Sequence, residues 1–439
     1  MKSTIVRKPA GTRSSNQTPL PADRQRDAEY VSGAEAAALL GVKAQTLYTY
    51  VSRGVIQSLP TPDRHRHLYL RADIEKLRAR PRARRAMGAV AASAMYAGEP
   101  IIPTSITEIT SAGPRYRGRL AAELASARLP FENVAEFLWT GDLIEDGPIL
   151  WTFEPLPAEV RRLIKSLARP RADVPIAHIF SLIALSISMA RGTRLERLRS
   201  STTVMAARQV IQTFAGCFGY LSPRHEYVEC ASAEPIASAV LRASGLACSD
   251  ERLRIVNGLM VLLADHELSP ATFAARIAAS SGADLHACLV SAIETSSGRQ
   301  IAEVYDRTED FLAGAKSKAD LVRRVRELEA VGRAPPGFNQ PIYPQGDPRA
   351  PYIFDLVRRV GRPSRHLDMV FAFLDEAESR FELKPRSEFG VVALAAALGF
   401  PKRAAGGLHI LSRVAGWVAH VIEQRLSSAM LRPRAKFVE

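Results

Sequence analysis

From Ala89 to the C-terminus, apolar residues recur at the three- and four-residue spacing of helices, few runs alternate with β-branched residues, and glycine or proline punctuates the pattern. This predicts an all-α body. No internal repeat is evident, which argues against a helical solenoid. The longest stretch free of charge, between Asp173 and Arg191, is broken by His178 and several serines. It falls short of the ~18 to 20 apolar residues that a membrane span needs, so a buried helix is expected there and no membrane partner.

The front of the chain follows another pattern. Residues 1–27 are rich in Ser, Thr, Pro, Gln and charge and predict a disordered basic arm. In "YVSGAEAAALLGVKAQTLYTYVSRGVI", Ser32 is an N-cap with Glu35 as its capping-box partner, and Gly41 stops a short Ala/Leu helix. A second helix is expected from Ala44 to Ser52, burying Leu47, Tyr50 and Val51 and facing Lys43, Gln45, Thr46 and Tyr48 outward. A turn, a basic strand through Tyr69 and a helix capped by Asp73 follow. Two short helices across a glycine-containing turn form a helix-turn-helix.

Charge sharpens this picture. Residues 1–86 hold 17 Lys/Arg against 7 Asp/Glu, which places +10 of the formal +14 in the front end. Such asymmetry points to a nucleic acid or another anionic surface as partner. The stretch through "RHLYLRADIEKL" resembles the winged helix-turn-helix of the MerR and excisionase type. That resemblance implies DNA binding through residues 28–80, with Lys43, Gln45 and Thr46, flanked by Tyr48, toward base edges and Arg53, Arg64, Arg66 and Arg71 toward phosphates. A module of this shape that docks another protein is the alternative. Residues 81–95 read as a basic linker.

The four cysteines, Cys217, Cys230, Cys248 and Cys288, have no CxxC spacing and read as buried free thiols. His65 and His67 lack further ligands nearby, so no metal is expected. A basic N-terminus without an apolar core after it argues against a secretory signal, leaving the cytoplasm as the expected location.

The body carries a second resemblance. "GPRYRG", "FENVAEFLWTG", "LLADHELSPATFAARIAAS", "GFNQPIYPQGDPR" and "SRVAGWVAHVIEQRLSSAMLRPR" are similar to segments of the citrate synthase family over residues 89–439. The resemblance implies an α-helical homodimer whose large and small domains close over the site, the domain covering 96–439 and its small part roughly 297–390. It also implies condensation of an acyl-CoA with a 2-oxo acid, without a bound cofactor. That chemistry needs a carboxylate to take a weakly acidic proton, a donor to the enolate oxygen, a donor to the ketone, and arginine forks for substrate carboxylates.

Matched position by position, His266 falls on the family's oxo-acid histidine, and Arg349, Arg413 and Arg432 on its carboxylate clamps, the last reaching across the dimer. Three positions depart. The "GPLHGG" histidine has no counterpart in "SSGRQIAEV", and no histidine lies between His286 and His366. Gln340 stands where the family has its ketone-polarising histidine, beside Asn339 in place of glycine, and Glu388 stands for the aspartate base. His225, His286, His366, His409 and His420 match no motif and read as structural, with His409, close to Gly406 and Gly407, the exception. The expectation is a degenerate site, a pseudoenzyme that binds a carboxylate or acyl-CoA metabolite and regulates through DNA. Two alternatives stand beside it: an active acyltransferase of the tricarboxylic acid cycle type, with catalytic Glu388, Gln340 and His266, and a heterodimer partner of an active citrate synthase.

Overall fold

A computed structural model describes residues 30–40, 47, 56, 58–60, 67–70, 74, 102–167, 174–191, 200–360, 364–427 and 430–432. The chain divides into two compact units, Met1–Glu99 and Pro100–Glu439.

In the first unit, β1 (Tyr30–Ser32), α1 (Gly33–Leu40), β2 (Ser58–Pro60) and β3 (His67–Leu70) are defined, and β3 pairs antiparallel with both other strands. Val31, Ala36, Leu47, Ile56, Tyr69 and Ile74 form a small core. Ser32 caps α1 as expected, its Oγ accepting from Glu35 N at 3.3 Å. The second helix, apart from Leu47, and with it Lys43, Gln45, Thr46, Tyr48, Arg53, Arg64 and Arg66, lies outside the described residues.

The second unit is mainly helical, with one departure from the all-α expectation. β4 (Thr107–Thr110), β5 (Gly113–Tyr116) and β6 (Arg119–Leu120) form an antiparallel sheet over the "GPRYRG" segment. The tight turns that allow it use positive φ at Gly113 and Gly118, where glycine carries no steric cost. The helices are α2 (Ala121–Ser126), α3 (Phe131–Thr140), α4 (Ala158–Ser166), α5 (Ile176–Arg191), α6 (Ser200–Cys217), α7 (Ile236–Ala243), α8 (Asp250–Leu263), α9 (Pro270–Ser280), α10 (Leu285–Ser297), α11 (Ala302–Leu312), α12 (Lys318–Ala330), α13 (Arg349–Arg359), α14 (Arg365–Phe381), α15 (Ser387–Leu398) and α16 (Ala404–Leu426). Local chemistry starts many of them: Ser249, Ser269, Asp284 and Ser364 accept from backbone N–H groups of their first turns, and Ser317 with Asp320 completes a capping box.

α16 is buried along nearly its whole length, as its apolar residues on every face require. Gly416 lets it approach the loop after α8: a Cβ there would lie 2.1 Å from Asp265 Oδ1. α15 is likewise buried and packs on α13, α11 and α16. By contrast α5, read from sequence as buried, exposes Leu182, Leu185 and Met189 on one face. Cys248 is exposed, unlike the other three thiols. Among the described residues no helix is long and apolar enough to cross a membrane, and no group of His, Cys, Asp or Glu is placed to hold a metal ion.

Candidate active site

The site is assembled from the loop after α8, the loop 335–349, the segment 384–388 and one face of α16. "GPRYRG" acts at its floor. Tyr116 Oη lies 3.0 Å from Leu262 O and accepts from Asp265 N at 3.1 Å, pinning the end of α8 where the chain turns into His266. Beneath, fully buried His420 Nε2 lies 3.2 Å from Asp265 Oδ2. Burial alone would raise the Asp265 pKa, but His420 and Arg413 hold it below its usual value.

His266 is thereby fixed, its Nε2 2.9 Å from Tyr343 Oη. Desolvation, then the charges of Arg349 and Arg413, push its pKa well below the ordinary imidazole value. A neutral ring follows, able to donate or accept one hydrogen bond per nitrogen without changing charge. Burial likewise raises the Tyr343 phenol to about 12, so it stays protonated.

Arg349 opens α13. Its Nε and Nη2 donate to the two oxygens of Asp347 at 3.0 and 2.8 Å, a bidentate pair with both partners buried. Asp347 Oδ2 also accepts from Ser387 N at 2.9 Å. Burial would raise the Asp347 pKa, yet Arg349 and these donors hold it down at about 2. The arginine clamp and the start of α15 therefore share one carboxylate.

Arg413, on α16, is buried and its Nη1 has no hydrogen-bond partner among the described residues. An orphaned guanidinium nitrogen in the interior costs free energy unless an anion meets it. A substrate carboxylate is the natural partner. Glu388 lies in the first turn of α15, where a helix N-terminus favours a carboxylate. Arg386 Nη2 is in close contact with its Oε1, and Ser387 Oγ donates to its Oε2 at 3.1 Å.

The loop that carries Gln340 is held against this segment. Asn339 N donates to Lys384 O, Lys384 N donates to Asn339 Oδ1, both at 2.8 Å, and Arg386 N donates to Gly337 O at 2.9 Å. Asn339 itself has φ of 51°, a left-handed conformation that asparagine and glycine tolerate best. Its side-chain oxygen is engaged by Lys384 N. Gln340 is half-buried, and its amide makes no hydrogen bond among the described residues.

Of the residues expected from sequence, the structure gathers His266, Arg349, Arg413 and Glu388 around these contacts. Arg432 is exposed and is not brought to them within one chain. Tyr305, Tyr343, Asp347 and Arg386 were not anticipated. Tyr305 Oη lies 2.8 Å from His409 Nδ1, and both residues are buried. Two cavities, of about 190 and 210 Å³, lie elsewhere, one lined by His366 and Lys402 and the other by Arg128 and Trp151. Charge, not volume, marks this site.

Residues 95–434 match the family described as citrate synthase, C-terminal domain, which is most of the chain. The chain belongs to the citrate synthase family. Among curated relatives, the 2-methylcitrate synthase of Mycobacterium tuberculosis is 25% identical over 343 residues, 73% of this chain and 84% of that protein. The citrate synthase of Mycolicibacterium smegmatis is 26% identical over 342 residues, 73% of this chain and 88% of that protein. Among solved structures, the citrate synthase of Thermoplasma acidophilum, in ternary complex with carboxymethyl coenzyme A and oxaloacetate, superposes with a TM-score of 0.70 at 19% identity, covering 78% of this chain and 94% of that one. The citrate synthase of Thermotoga maritima does so with a TM-score of 0.65 at 21% identity, over 78% and 94%. These likenesses show a citrate synthase-type fold.

Proposed function

We propose that the protein is an acyltransferase of the citrate synthase type, condensing an acyl-CoA such as acetyl-CoA or propionyl-CoA with oxaloacetate or a related 2-oxo acid. The observation that supports it most is the orphaned Nη1 of buried Arg413, set close enough to Arg349 and His266 that their charges act on one another. Arg413 and the remaining donors of Arg349 bind the oxo acid's carboxylates, and neutral His266, steadied by Tyr343, donates to it. Glu388 removes a proton from the acyl methyl or methylene. The C–H pair becomes the enolate double bond, and the thioester π pair moves onto its oxygen. The enolate carbon then attacks the ketone carbon while Gln340 donates to the ketone oxygen. The proton taken by the base and the one gained by the alkoxide balance, and water cleaves the thioester to release CoA thiol and the new acid.

The names of the curated relatives support this reading over a purely regulatory one. Assembly as a homodimer belongs to it, supported by exposed apolar side chains on α5, α6 and α9, namely Leu182, Leu185, Met189, Met205 and Ile277, which a second copy could cover. Release of CoA thiol from acetyl-CoA or propionyl-CoA with oxaloacetate, lost in Glu388→Ala, is the expected result. Absence of thiol release with every acyl-CoA and 2-oxo acid pair would refute the proposal.

A second reading rests on the contact that ties Glu388 to Arg386 and on an amide at Gln340 where a proton relay is expected. In it the cradle binds a carboxylate or CoA ligand without turnover, and the basic front end engages DNA or places the chain beside an active citrate synthase. Ligand-dependent thermal stabilisation without thiol release, together with DNA affinity above nonspecific levels, would favour it.

A further inference from the structure

The turn between α10 and α11, where the enolate donor is missing, places Arg299 and Gln300 in solvent. Neither enters the interior. The first turn of α11 nevertheless carries Tyr305 inward, 2% exposed, onto His409, with ring centroids 5.1 Å apart and tilted by 36°. His409 sits on α16 four residues before Arg413, so the two share a helix face. α11 packs on both α15, which bears Glu388, and α16. Glu388, Arg349, Arg413 and Arg386 all lie close enough to Tyr305 to act on it electrostatically.

The hydrogen bond between the two side chains constrains the imidazole. Burial, then Arg413, Arg349 and Arg386, keep it neutral, with a single N–H. When the Tyr305 hydroxyl donates to Nδ1, that hydrogen resides on Nε2, the nitrogen without a partner among the described residues. A neutral imidazole so held is a preorganised donor, and the tyrosine that orients it lies within electrostatic reach of Glu388.

We propose that His409, oriented by Tyr305, donates the hydrogen bond to the developing enolate oxygen of the acyl-CoA thioester, replacing the imidazole absent from residues 297–301. His409 is then a catalytic residue and Tyr305 a positioning residue. The proposal rests on the condensing reading above.

The test measures two things in the wild type, Tyr305→Phe, His409→Phe and His409→Gln. One is CoA thiol release with oxaloacetate. The other is deuterium wash-in from D₂O to the acetyl group of acetyl-CoA, with a 2-hydroxy acid analogue of oxaloacetate in the site. His409→Phe is expected to slow wash-in by ~10²- to 10³-fold, as loss of an oxyanion donor does. Tyr305→Phe, which only frees the ring, is expected to slow it by ~10- to 100-fold, as loss of an orienting partner does. His409→Gln keeps a donor and should recover much of the loss, with oxaloacetate-induced thermal stabilisation unchanged in all variants. Unchanged wash-in in His409→Phe would overturn the pair and leave the condensing reading standing. Should that variant not fold, unchanged wash-in in Tyr305→Phe, which keeps the ring, overturns it equally. A wild type with neither wash-in nor thiol release would overturn both.

Discussion

Ser387 N donates to Asp347 Oδ2 at 2.9 Å, and the same carboxylate grips Arg349 through two hydrogen bonds. Arg349, the proposed clamp for the oxo acid, and the helix that carries Glu388, the proposed base, are thus held to each other. Replacing Asp347 with Ala strands a buried guanidinium, and breaking such a pair typically costs ~3–5 kcal/mol. We expect a fall of that order in unfolding free energy in denaturant. Asp347→Asn, which can accept one of the hydrogen bonds, should cost less and should raise KM for oxaloacetate while lowering kcat.

Glu388 is the proposed base for proton removal. Glu388→Gln preserves shape and removes the base, so thiol release should fall by the ~10²- to 10⁴-fold typical of a lost acid–base group. Oxaloacetate should still raise the melting temperature, because the clamps are untouched. Loss of stabilisation together with activity would show that Glu388 serves binding instead.

Arg413→Met removes the unpartnered nitrogen and keeps an apolar stem. A hydrogen bond to a charged group contributes ~1.5–3 kcal/mol, so oxaloacetate affinity should weaken by roughly 10- to 150-fold. Thermal shift titration reads this directly. Because the Arg413 charge also helps to hold buried Asp265 ionised, the substitution should in addition lower the melting temperature of the unliganded protein.

The buried imidazoles set an acid limit. His266 and His409 are held well below the usual imidazole pKa and His286 at about 4, in each case mainly by burial. Between the unfolded value near ~6.5 and these lower values the unfolded chain binds more protons, so stability is full above ~6.5 and is lost as pH falls. The melting temperature should drop steeply from pH 6.5 toward 4, and less steeply in His409→Gln. Thiol release should show no inflection from His266 or His409 between pH 6.5 and 8.

Much of this was legible in the chain itself. Helical periodicity gave the body, and Ser32 marked the start of α1, because caps and amphipathic faces are local. The motifs singled out His266, Arg349, Arg413 and Glu388, which the fold brings into one region. The left-handed backbone at Asn339 is a demand the residue type alone does not display. Tyr343 and His266 are 77 residues apart, and Tyr305 and His409 are 104 apart. Pairings at that range depend on how α11, α16 and the 335–349 loop pack, and nothing in their local composition announces them. Nor does the charge-free run before Arg191 reveal that one face of α5 is exposed in the single chain.

Carbon–carbon bond formation is the measurement closest to the central claim. Acetyl-CoA labelled with ¹³C at the methyl carbon, incubated with oxaloacetate and the protein, should give a labelled methylene in citrate by NMR, and should not do so with Glu388→Gln. Label remaining wholly in acetyl-CoA, under conditions where oxaloacetate demonstrably stabilises the fold, would contradict it.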